Sequence, residues 1–173
     1  MPKLIPDAKT KIISIAKNQL FKKGYTGLML RDVADQCGMA VGTIYNYFSS
    51  KEILVASIMA EDWLSSLEKM KESCKIASTV EQGVRAIYKA IGEYVQTYEG
   101  IWTEYKGVLS SYGKRHVLLR NQLSELLSDL LLRLGLNEDI ELCPLLAETV
   151  LTCAMQRDID YSVLSKAISR LFS

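Results

Sequence analysis

The chain contains 173 residues, of which 49% are hydrophobic and 24% are charged, with only 3 Pro and 10 Gly. This composition excludes a disordered chain and indicates one or two globular units with a helical bias. The net charge of +1 conceals an asymmetry, because residues 1–55 carry eight Lys or Arg against four acids, while the remainder carries 13 basic and 16 acidic residues. A surface that faces a polyanion and a solvated basic face both account for this asymmetry.

The cysteines and the histidine favour neither a metal site nor a disulfide framework. Cys37, Cys74, Cys143 and Cys153 are far apart in apolar contexts, no C-x-x-C pair occurs, and His116 is the only histidine. We therefore predict buried free thiols in a reducing cytoplasm, with no metal ion and no cofactor.

No stretch of the chain approaches the ~18 consecutive apolar residues that a membrane span requires. The start of the sequence also lacks the long apolar core of a signal peptide. We expect a cytoplasmic protein without a membrane partner.

Apolar residues recur at intervals of three and four, which predicts an all-α protein of about nine helices. The first four helices are predicted over about 7–23, 30–37, 41–48 and 50–74. Gly24 and Gly38 are natural stops for the first two helices, and Asp7 is a candidate cap for the first. Ser49 or Ser50 is predicted to cap the fourth.

Five further helices are predicted over about 80–99, 101–111, 114–134, 138–156 and 162–172. Gly100 is predicted to separate the first two of these, and Gly135 to end the third. Asp158 or Asp160 is predicted to cap the last helix. We divide the chain into an amino-terminal module, residues 1–54, and a larger helical unit, residues 55–173.

The two short helices on either side of Gly38 form a helix-turn-helix pattern, whose second helix enters the major groove in DNA-binding proteins. Gly42 allows close approach to a duplex, and Lys51 lies at a helix N-terminus, where a phosphate is held readily. Ile44 and Phe48 are predicted to face the module's own core. Hydroxyl and amide groups for phosphates and bases come from Thr43, Tyr45, Asn46 and Tyr47. Tyrosines packed within a bundle and a solvated Lys51 are the alternative interpretation.

The stretch "GYTGLMLRDVADQCGMAVGTIYNYFSSKEIL" resembles the DNA-binding domain of the TetR family of bacterial transcription regulators. Its most specific elements are "RDVA", the glycine four residues beyond it, "GTIYNYF" and "SKE", in order and without a gap. The resemblance implies that phosphates are gripped by Thr43, Tyr45 and Lys51. It implies groove-facing positions for Val41, Gly42, Asn46 and Tyr47, and it places Arg31 at the start of the helix that braces them.

Departures from the family pattern bear on DNA binding. Leu28 and Met29 stand where a hydroxyl residue usually caps the second helix, and Ala40 stands where one usually caps the third. Each missing cap is worth ~1 kcal/mol, so we expect a looser module. The predicted recognition helix carries no Arg or Lys, which removes the common arginine–guanine contact and shifts specificity to Asn46, Val41 and DNA shape.

Aromatic side chains with polar tips are concentrated between residues 59 and 112, a composition that suits a mostly apolar ligand pocket. We predict that this pocket is lined by Met59, Trp63, Tyr88, Tyr94, Tyr98, Trp102 and Tyr105. Arg85, Glu93 and Glu104 are candidates for orienting a polar ligand end, with a solvated helix face as the alternative. Core or interface packing is the alternative for each aromatic residue.

The last two predicted helices have long apolar stripes, and the resemblance implies that family members pair through them into a four-helix interface. The interface residues expected in this chain are Leu146, Val150, Val163, Leu164, Ala167, Ile168 and Leu171. Packing within one subunit is the alternative for part of these stripes. A two-fold dimer would place two recognition helices one DNA turn, roughly 34–36 Å, apart.

We therefore expect a homodimeric regulator that binds double-stranded operator DNA, acts as a repressor and is released by an unknown small-molecule effector. The alternative is a helical small-molecule or lipid-binding protein with a vestigial DNA-binding module. We predict no enzymatic activity and no catalytic residue, because no nucleophile or carboxylate accompanies His116 at a known spacing. His116 is expected at the surface or at a pocket rim.

Overall fold

The structure, a computed structural model, describes residues 7–104 and 112–172, with the backbone alone for residues 112–114. Every regular element in these residues is helical, so the all-α prediction is confirmed. The α-helices are α1 Ala8–Gly27, α2 Leu30–Cys37, α3 Val41–Tyr47, α4 Lys51–Ile76, α5 Val80–Glu104, α6 Tyr112–Arg133, α7 Cys143–Gln156 and α8 Tyr161–Leu171. A 3₁₀ segment, Asn137–Leu142, lies between α6 and α7.

The chain divides into two compact units. Within the described residues, the first unit comprises 7–63 and 98–104, and the second comprises 64–97 and 112–172. Helices α4 and α5 therefore each contribute residues to both units. The predicted division into functional modules at residue 54 stays a prediction. This position lies inside α4, where packing alone does not mark a functional boundary.

The first unit is built on the three amino-terminal helices. Ile12, Ala16 and Leu20 of α1 are buried, as are the predicted inward residues of α2, Val33, Ala34 and Cys37. Helix α2 has the predicted bounds and ends at Gly38, whose φ of 66° is left-handed. The Met39 N–H donates to the Ala34 carbonyl at 2.9 Å and the Gly38 N–H donates to that of Asp35 at 3.1 Å, the paired bonds of a Schellman motif. This motif turns the chain sharply into α3.

Gly24 interrupts α1 as predicted, with a left-handed φ of 72° and an extended ψ of 178°, and one further turn continues to Gly27. At the other end, Asp7 precedes α1, but its side chain makes no capping bond, so that prediction is wrong. Its carbonyl accepts the Lys11 N–H instead, at 3.0 Å. For α4, Ser50 is the cap, because its Oγ accepts the Ile53 N–H at 3.3 Å.

The predicted break at Gly100 is wrong, because α5 runs without interruption from Val80 to Glu104. Tyr98 and Ile101, on either side of the glycine, are both buried. Their burial outweighs the cost of an interior helical glycine, which is only ~1 kcal/mol. The remainder of the helix predicted over 101–111 lies outside the described residues.

Helix α6 ends at Arg133, and Gly135 terminates it as predicted, with a φ of 79° and a bond from the Leu136 N–H to the Leu131 carbonyl at 3.0 Å. The next helix was expected to begin at Glu138, but α7 begins at Cys143 and the preceding residues form the 3₁₀ segment. Pro144 lies in the first turn of α7, where its missing N–H costs nothing. Asp160 caps α8 by accepting the Ser162 N–H at 2.8 Å.

In the second unit, α6 and α7 pack through aliphatic side chains that include Leu127, Leu131, Val150 and Leu151, all fully buried. All four cysteines of the chain are buried and free, as predicted. Burial raises the pKa of the Cys74 thiol to about 11, against the opposing effect of Arg133. These thiols are therefore packing groups and not nucleophiles.

Gln19 on α1 is a buried amide within the first unit. It is 4% exposed, and neither its amide nitrogen nor its oxygen has a hydrogen-bond partner in the described residues. We expect Gln19→Leu to raise the free energy of unfolding by ~1–3 kcal/mol, because it removes a buried polar group that makes no bond. Urea unfolding measures this change.

Asn18→Leu is the control for this substitution, since Asn18 is exposed on the same helix. It should leave the unfolding free energy within ~0.5 kcal/mol of the unsubstituted protein. A destabilised Gln19→Leu variant would contradict the assignment of an unsatisfied amide.

Candidate nucleic-acid interface

Helix α3 presents one apolar face inward and one polar face outward. Ile44 and Phe48 are fully buried, which confirms their predicted orientation. Gly42, Tyr45 and Asn46 are exposed, Tyr45 by 50% of its surface. Val41, Thr43 and Tyr47 are half-buried at the edges of this face. All six groove or phosphate candidates on α3 therefore retain accessible surface.

Gly42 has no role in the packing of its own module. A Cβ atom built at this position meets no heavy atom within 4 Å, and its φ lies outside the left-handed region. The fold therefore tolerates a side chain here, and an interior helical glycine costs ~0.5–1 kcal/mol relative to alanine. Because Gly42 has no side chain, another molecule can come close to the backbone of α3 at this position.

The caps that the sequence lacks are also missing in the structure. Met29 precedes α2 and Ala40 precedes α3, and neither makes a side-chain capping bond. Helix α2 has a negative charge in its first turn, Asp32, which accepts a bond from Lys23 at 3.0 Å. Arg31, the other predicted DNA-binding residue on α2, is exposed.

Lys51 lies in the first turn of α4, where the sequence placed it, but its side chain is held by a residue that the sequence analysis missed. Its Nζ donates to the Tyr25 carbonyl at 2.9 Å and lies 4.3 Å from the centre of the Tyr25 ring, a cation–π geometry. An ammonium group has three N–H donors, so one bond to a carbonyl leaves capacity for a phosphate oxygen. Tyr25 thus orients the cation without neutralising it.

Tyr25 also fixes the neighbouring carboxylate. Its hydroxyl donates to Glu52 Oε1 at 2.6 Å. This bond, together with one from Ser50, lowers the pKa of Glu52 to about 2. The sequence contained one indication that Tyr25 has a specific role, because this aromatic residue directly follows the glycine that interrupts α1. Its partners could not be predicted, because they lie 26 and 27 residues away along the chain.

The residues predicted to line a ligand pocket belong to both compact units. Met59, Trp63 and Tyr98 are buried in the first unit, where the Tyr98 ring centre lies 6.4 Å from that of Trp102. The Tyr98 hydroxyl donates to Asp62 Oδ2 at 2.6 Å, and the other oxygen of Asp62 binds Lys17. These side chains contribute to the packing of the first unit.

Tyr88 and Tyr94 belong to the second unit, where Tyr88 packs against Tyr161 with ring centres 4.8 Å apart. Tyr105 lies outside the described residues. A surface cleft of about 390 Å³ in the second unit is lined by side chains of α6, the 3₁₀ segment and the start of α7, including Glu125, Ile140 and Pro144. None of the predicted pocket residues that the structure describes lines this cleft.

The apolar stripes of α7 and α8 divide into inward and outward residues. Four of the predicted interface residues are buried in the core of the second unit: Leu146, Val150, Leu164 and Ile168. Val163, Ala167 and Leu171 are exposed, Val163 by 60%. Leu145, a residue of the apolar stripe outside the expected interface set, is 65% exposed on α7. An outward apolar surface therefore exists on both helices, narrower than the predicted set.

A polar cluster anchors α8 against α5 within the second unit. Oε1 of Glu81 accepts bonds from Arg85 Nη2 at 2.7 Å, Tyr161 Oη at 3.1 Å and Ser165 Oγ at 2.9 Å. Burial, followed by the Glu81 charge, raises the pKa of Tyr161 to about 12, so its hydroxyl remains a donor. Arg85, a candidate ligand contact, is thus engaged in this cluster.

His116 is half-buried, and its Nε2 lies 2.7 Å from Glu148 Oε1, to which Thr152 also donates. No group of three potential metal ligands occurs among residues 7–104 and 112–172. In the same residues, no helix has the length and apolar character needed to cross a membrane.

Comparison with known proteins extends these observations. Residues 12–58 match the family model of bacterial regulatory proteins of the tetR family. The chain is 33% identical over 72 residues to the fatty acid metabolism regulator protein of Bacillus subtilis, a match that covers 42% of this chain and 37% of that protein. It is 21% identical over 163 residues to the HTH-type transcriptional regulator UidR of Escherichia coli, covering 91% of this chain and 80% of UidR.

The fold is also similar to that of a solved regulator of the TetR/AcrR family from Thermobifida fusca. The TM-score is 0.60 at 21% sequence identity, over 95% of this chain and 96% of the other. The likeness extends over both the helix-turn-helix helices and the carboxy-terminal helices, and therefore supports the two-part all-α fold.

The hydrogen bond between Tyr25 and Glu52 leads us to predict how its contribution to stability depends on pH. Because the bond lowers the folded-state pKa of Glu52 to about 2, its contribution to stability is present above the ordinary carboxyl pKa and is lost as pH falls through about 2. Tyr25→Phe removes the donor, so the Glu52 pKa should rise toward the ordinary value of 4.5. Carbon-detected NMR titration of the Glu52 carboxyl measures both values. Tyr45→Phe, which alters an exposed tyrosine on α3, is the control, and an unchanged Glu52 titration in Tyr25→Phe would contradict the assignment.

Proposed function

We propose, because the chain belongs to the TetR family of bacterial transcriptional regulators, that it binds a roughly palindromic operator as a homodimer and represses transcription until a small molecule releases it. The observation that carries this proposal is the outward face of α3, where Gly42, Tyr45 and Asn46 are exposed beside an inward Ile44 and Phe48. The family consists of regulators and not enzymes, in agreement with the absence of a catalytic motif in the sequence. Binding to chromosomal DNA would place the chain in the cytoplasm.

Each exposed group of α3 has a role in this proposal. Thr43 and Tyr45 donate hydroxyl bonds to phosphates, and Lys51 adds a charged contact to the same strand. Asn46 has the amide geometry that binds adenine, and Val41 is suited to a thymine methyl group. Gly42 and Tyr47 complete the groove-facing surface, and the exposed Arg31 on α2 adds a cation beside it.

Two-fold pairing is supported by the apolar side chains that α7 and α8 leave exposed. Val163, Ala167 and Leu171 of α8, with Leu145 of α7, form the surface that we assign to the dimer. A closed two-fold interface uses the same patch on both subunits, so one stripe is sufficient. Operator half-sites about one DNA turn apart, roughly 34–36 Å, would then match the two α3 helices.

Release by an effector requires only a modest difference in free energy. A ligand in the 55–173 region that shifts α4, and with it Lys51, needs a coupling of ~1–3 kcal/mol to weaken DNA binding about 5–150-fold. Met59, Trp63, Tyr98 and Trp102, all in the first unit, are the residues that we propose for the ligand.

Selection of duplexes from a random DNA pool, at two salt concentrations, tests the regulator proposal directly. We expect recovery of an inverted repeat whose half-sites lie one turn apart, with affinity that falls steeply as salt rises because phosphate contacts release counterions. Recovery of no motif, with weak binding only at low salt, would favour a helical small-molecule or lipid-binding protein whose module is vestigial. This second function is favoured by one observation, the absence of side-chain caps at the starts of α2 and α3.

Gly42→Ala should separate stability from DNA binding. The added methyl group meets no protein atom, so the variant should be more stable by ~0.5–1 kcal/mol. The same methyl group would obstruct the approach of α3 to the duplex, and we expect operator affinity to fall about tenfold, equivalent to ~1.4 kcal/mol.

Tyr45→Ala should also weaken binding, while leaving the second unit folded and dimeric. Unchanged operator affinity in both variants would refute the assignment of this face to DNA.

Val163→Glu should convert the dimer to a monomer, because it places a charge within the proposed apolar interface. Sedimentation velocity measures the mass of each variant. Ile76→Glu is the matched control, since Ile76 is 83% exposed in the same unit but lies at the end of α4. A dimer that persists in Val163→Glu, or dissociates equally in Ile76→Glu, would contradict the interface.

A further inference from the structure

We infer that Glu104 is a positioning residue for DNA binding, which holds the Gly24–Thr26 turn so that Tyr25 presents Lys51 to a phosphate. The inference rests on the proposed function, since it assigns a partner to the phosphate contact of Lys51. Glu104 is the last residue of α5. From the sequence, its only predicted role is to orient the polar end of a ligand.

The carboxylate of Glu104 binds this turn through two hydrogen bonds. Its Oε2 accepts the Thr26 backbone N–H at 2.8 Å and the Thr26 hydroxyl at 3.0 Å, across 78 residues of sequence. These bonds lower the pKa of Glu104, and the charge of Lys51 adds a smaller effect in the same direction. The carboxylate therefore remains ionised, and both of its bonds are charge-assisted.

The geometry of this turn also depends on its contacts with Glu104 and Lys51. Gly24 adopts a φ of 72°, and a Cβ atom at this position would lie 3.0 Å from Glu104 Oε1, so the glycine also admits the carboxylate. Within the turn, the Leu28 N–H donates to the Tyr25 carbonyl at a long 3.3 Å. That same carbonyl accepts the shorter bond from Lys51, at 2.9 Å. The position of the carbonyl, and hence of the ammonium group, depends on contacts from outside the turn.

The sign of the effect separates this role from plain electrostatics. A carboxylate near a DNA-binding surface repels phosphates, so its removal by itself raises affinity. If Glu104 acts by holding the turn, its removal releases Tyr25 and lowers affinity. The two explanations predict changes in opposite directions.

The test uses the full chain and the duplex recovered by DNA selection, with binding followed by fluorescence anisotropy over a series of salt concentrations. We expect Glu104→Ala to weaken binding about fivefold or more. The slope of log affinity against log salt should become shallower by ~0.9, which corresponds to the loss of one phosphate contact. Glu104→Gln keeps an acceptor oxygen for the Thr26 N–H and should retain most of the affinity.

Glu99→Ala is the matched control, because it removes the same charge from an exposed position on the same helix. It should bind as tightly as the unsubstituted protein or slightly more tightly. In a Lys51→Ala background, Glu104→Ala should cause no further loss of affinity, since both substitutions remove the same contact between Lys51 and a phosphate. Thr26→Val preserves charge and deletes one of the two bonds, so it should cause a smaller loss in the same direction.

Three results would overturn the inference while leaving the regulator proposal intact. These are unchanged or tighter binding by Glu104→Ala, a loss equal to that of Glu99→Ala, and a loss additive with Lys51→Ala. If Glu104→Ala unfolds, as circular dichroism would show, Thr26→Val decides the matter, and unchanged affinity in that variant refutes the inference. Failure of the unsubstituted protein to select any DNA would instead refute the proposed function.

Discussion

The structure of the first unit depends on the turn that Gly24 makes near the end of α1. The left-handed backbone there turns Tyr25 toward the start of α4 and Thr26 toward the end of α5. A residue with a Cβ atom would be strained in this conformation and would also approach the Glu104 carboxylate. One backbone geometry thus joins three helices that are distant in sequence, and the end of α5 that takes part, Glu104, belongs to the first unit.

The chemistry of α3 differs from that of its surroundings. The helix carries no charged side chain, and its outward face offers amide, hydroxyl and aromatic groups around an open glycine. Cations are supplied by the flanking helices, as Lys51 and Arg31. Under the proposed function, affinity then comes from the flanks and discrimination between sequences from α3, because phosphate contacts position a protein and base contacts specify the site.

The second unit uses its apolar residues in two ways. The inward side chains of α7 and α8, such as Val150 and Ile168, complete the subunit's own core. The outward ones, such as Leu145 and Val163, are exposed and form the surface that the proposed function assigns to a second subunit. The bonds that Glu81 accepts from Tyr161 and Ser165 hold α8 in one orientation, which keeps its outward stripe on the surface.

The sequence by itself determined the helical class, the helix-turn-helix, the glycine stops at 24, 38 and 135, and the inward positions of Ile44 and Phe48. These depend on periodicity and on backbone preferences, which act over a few residues. Only the tertiary structure decided that Gly100 continues a helix, that Tyr25 holds Lys51, and which half of each apolar stripe faces the core. Such outcomes depend on burial and bonds between distant segments, where a contact can outweigh a local preference of ~1 kcal/mol.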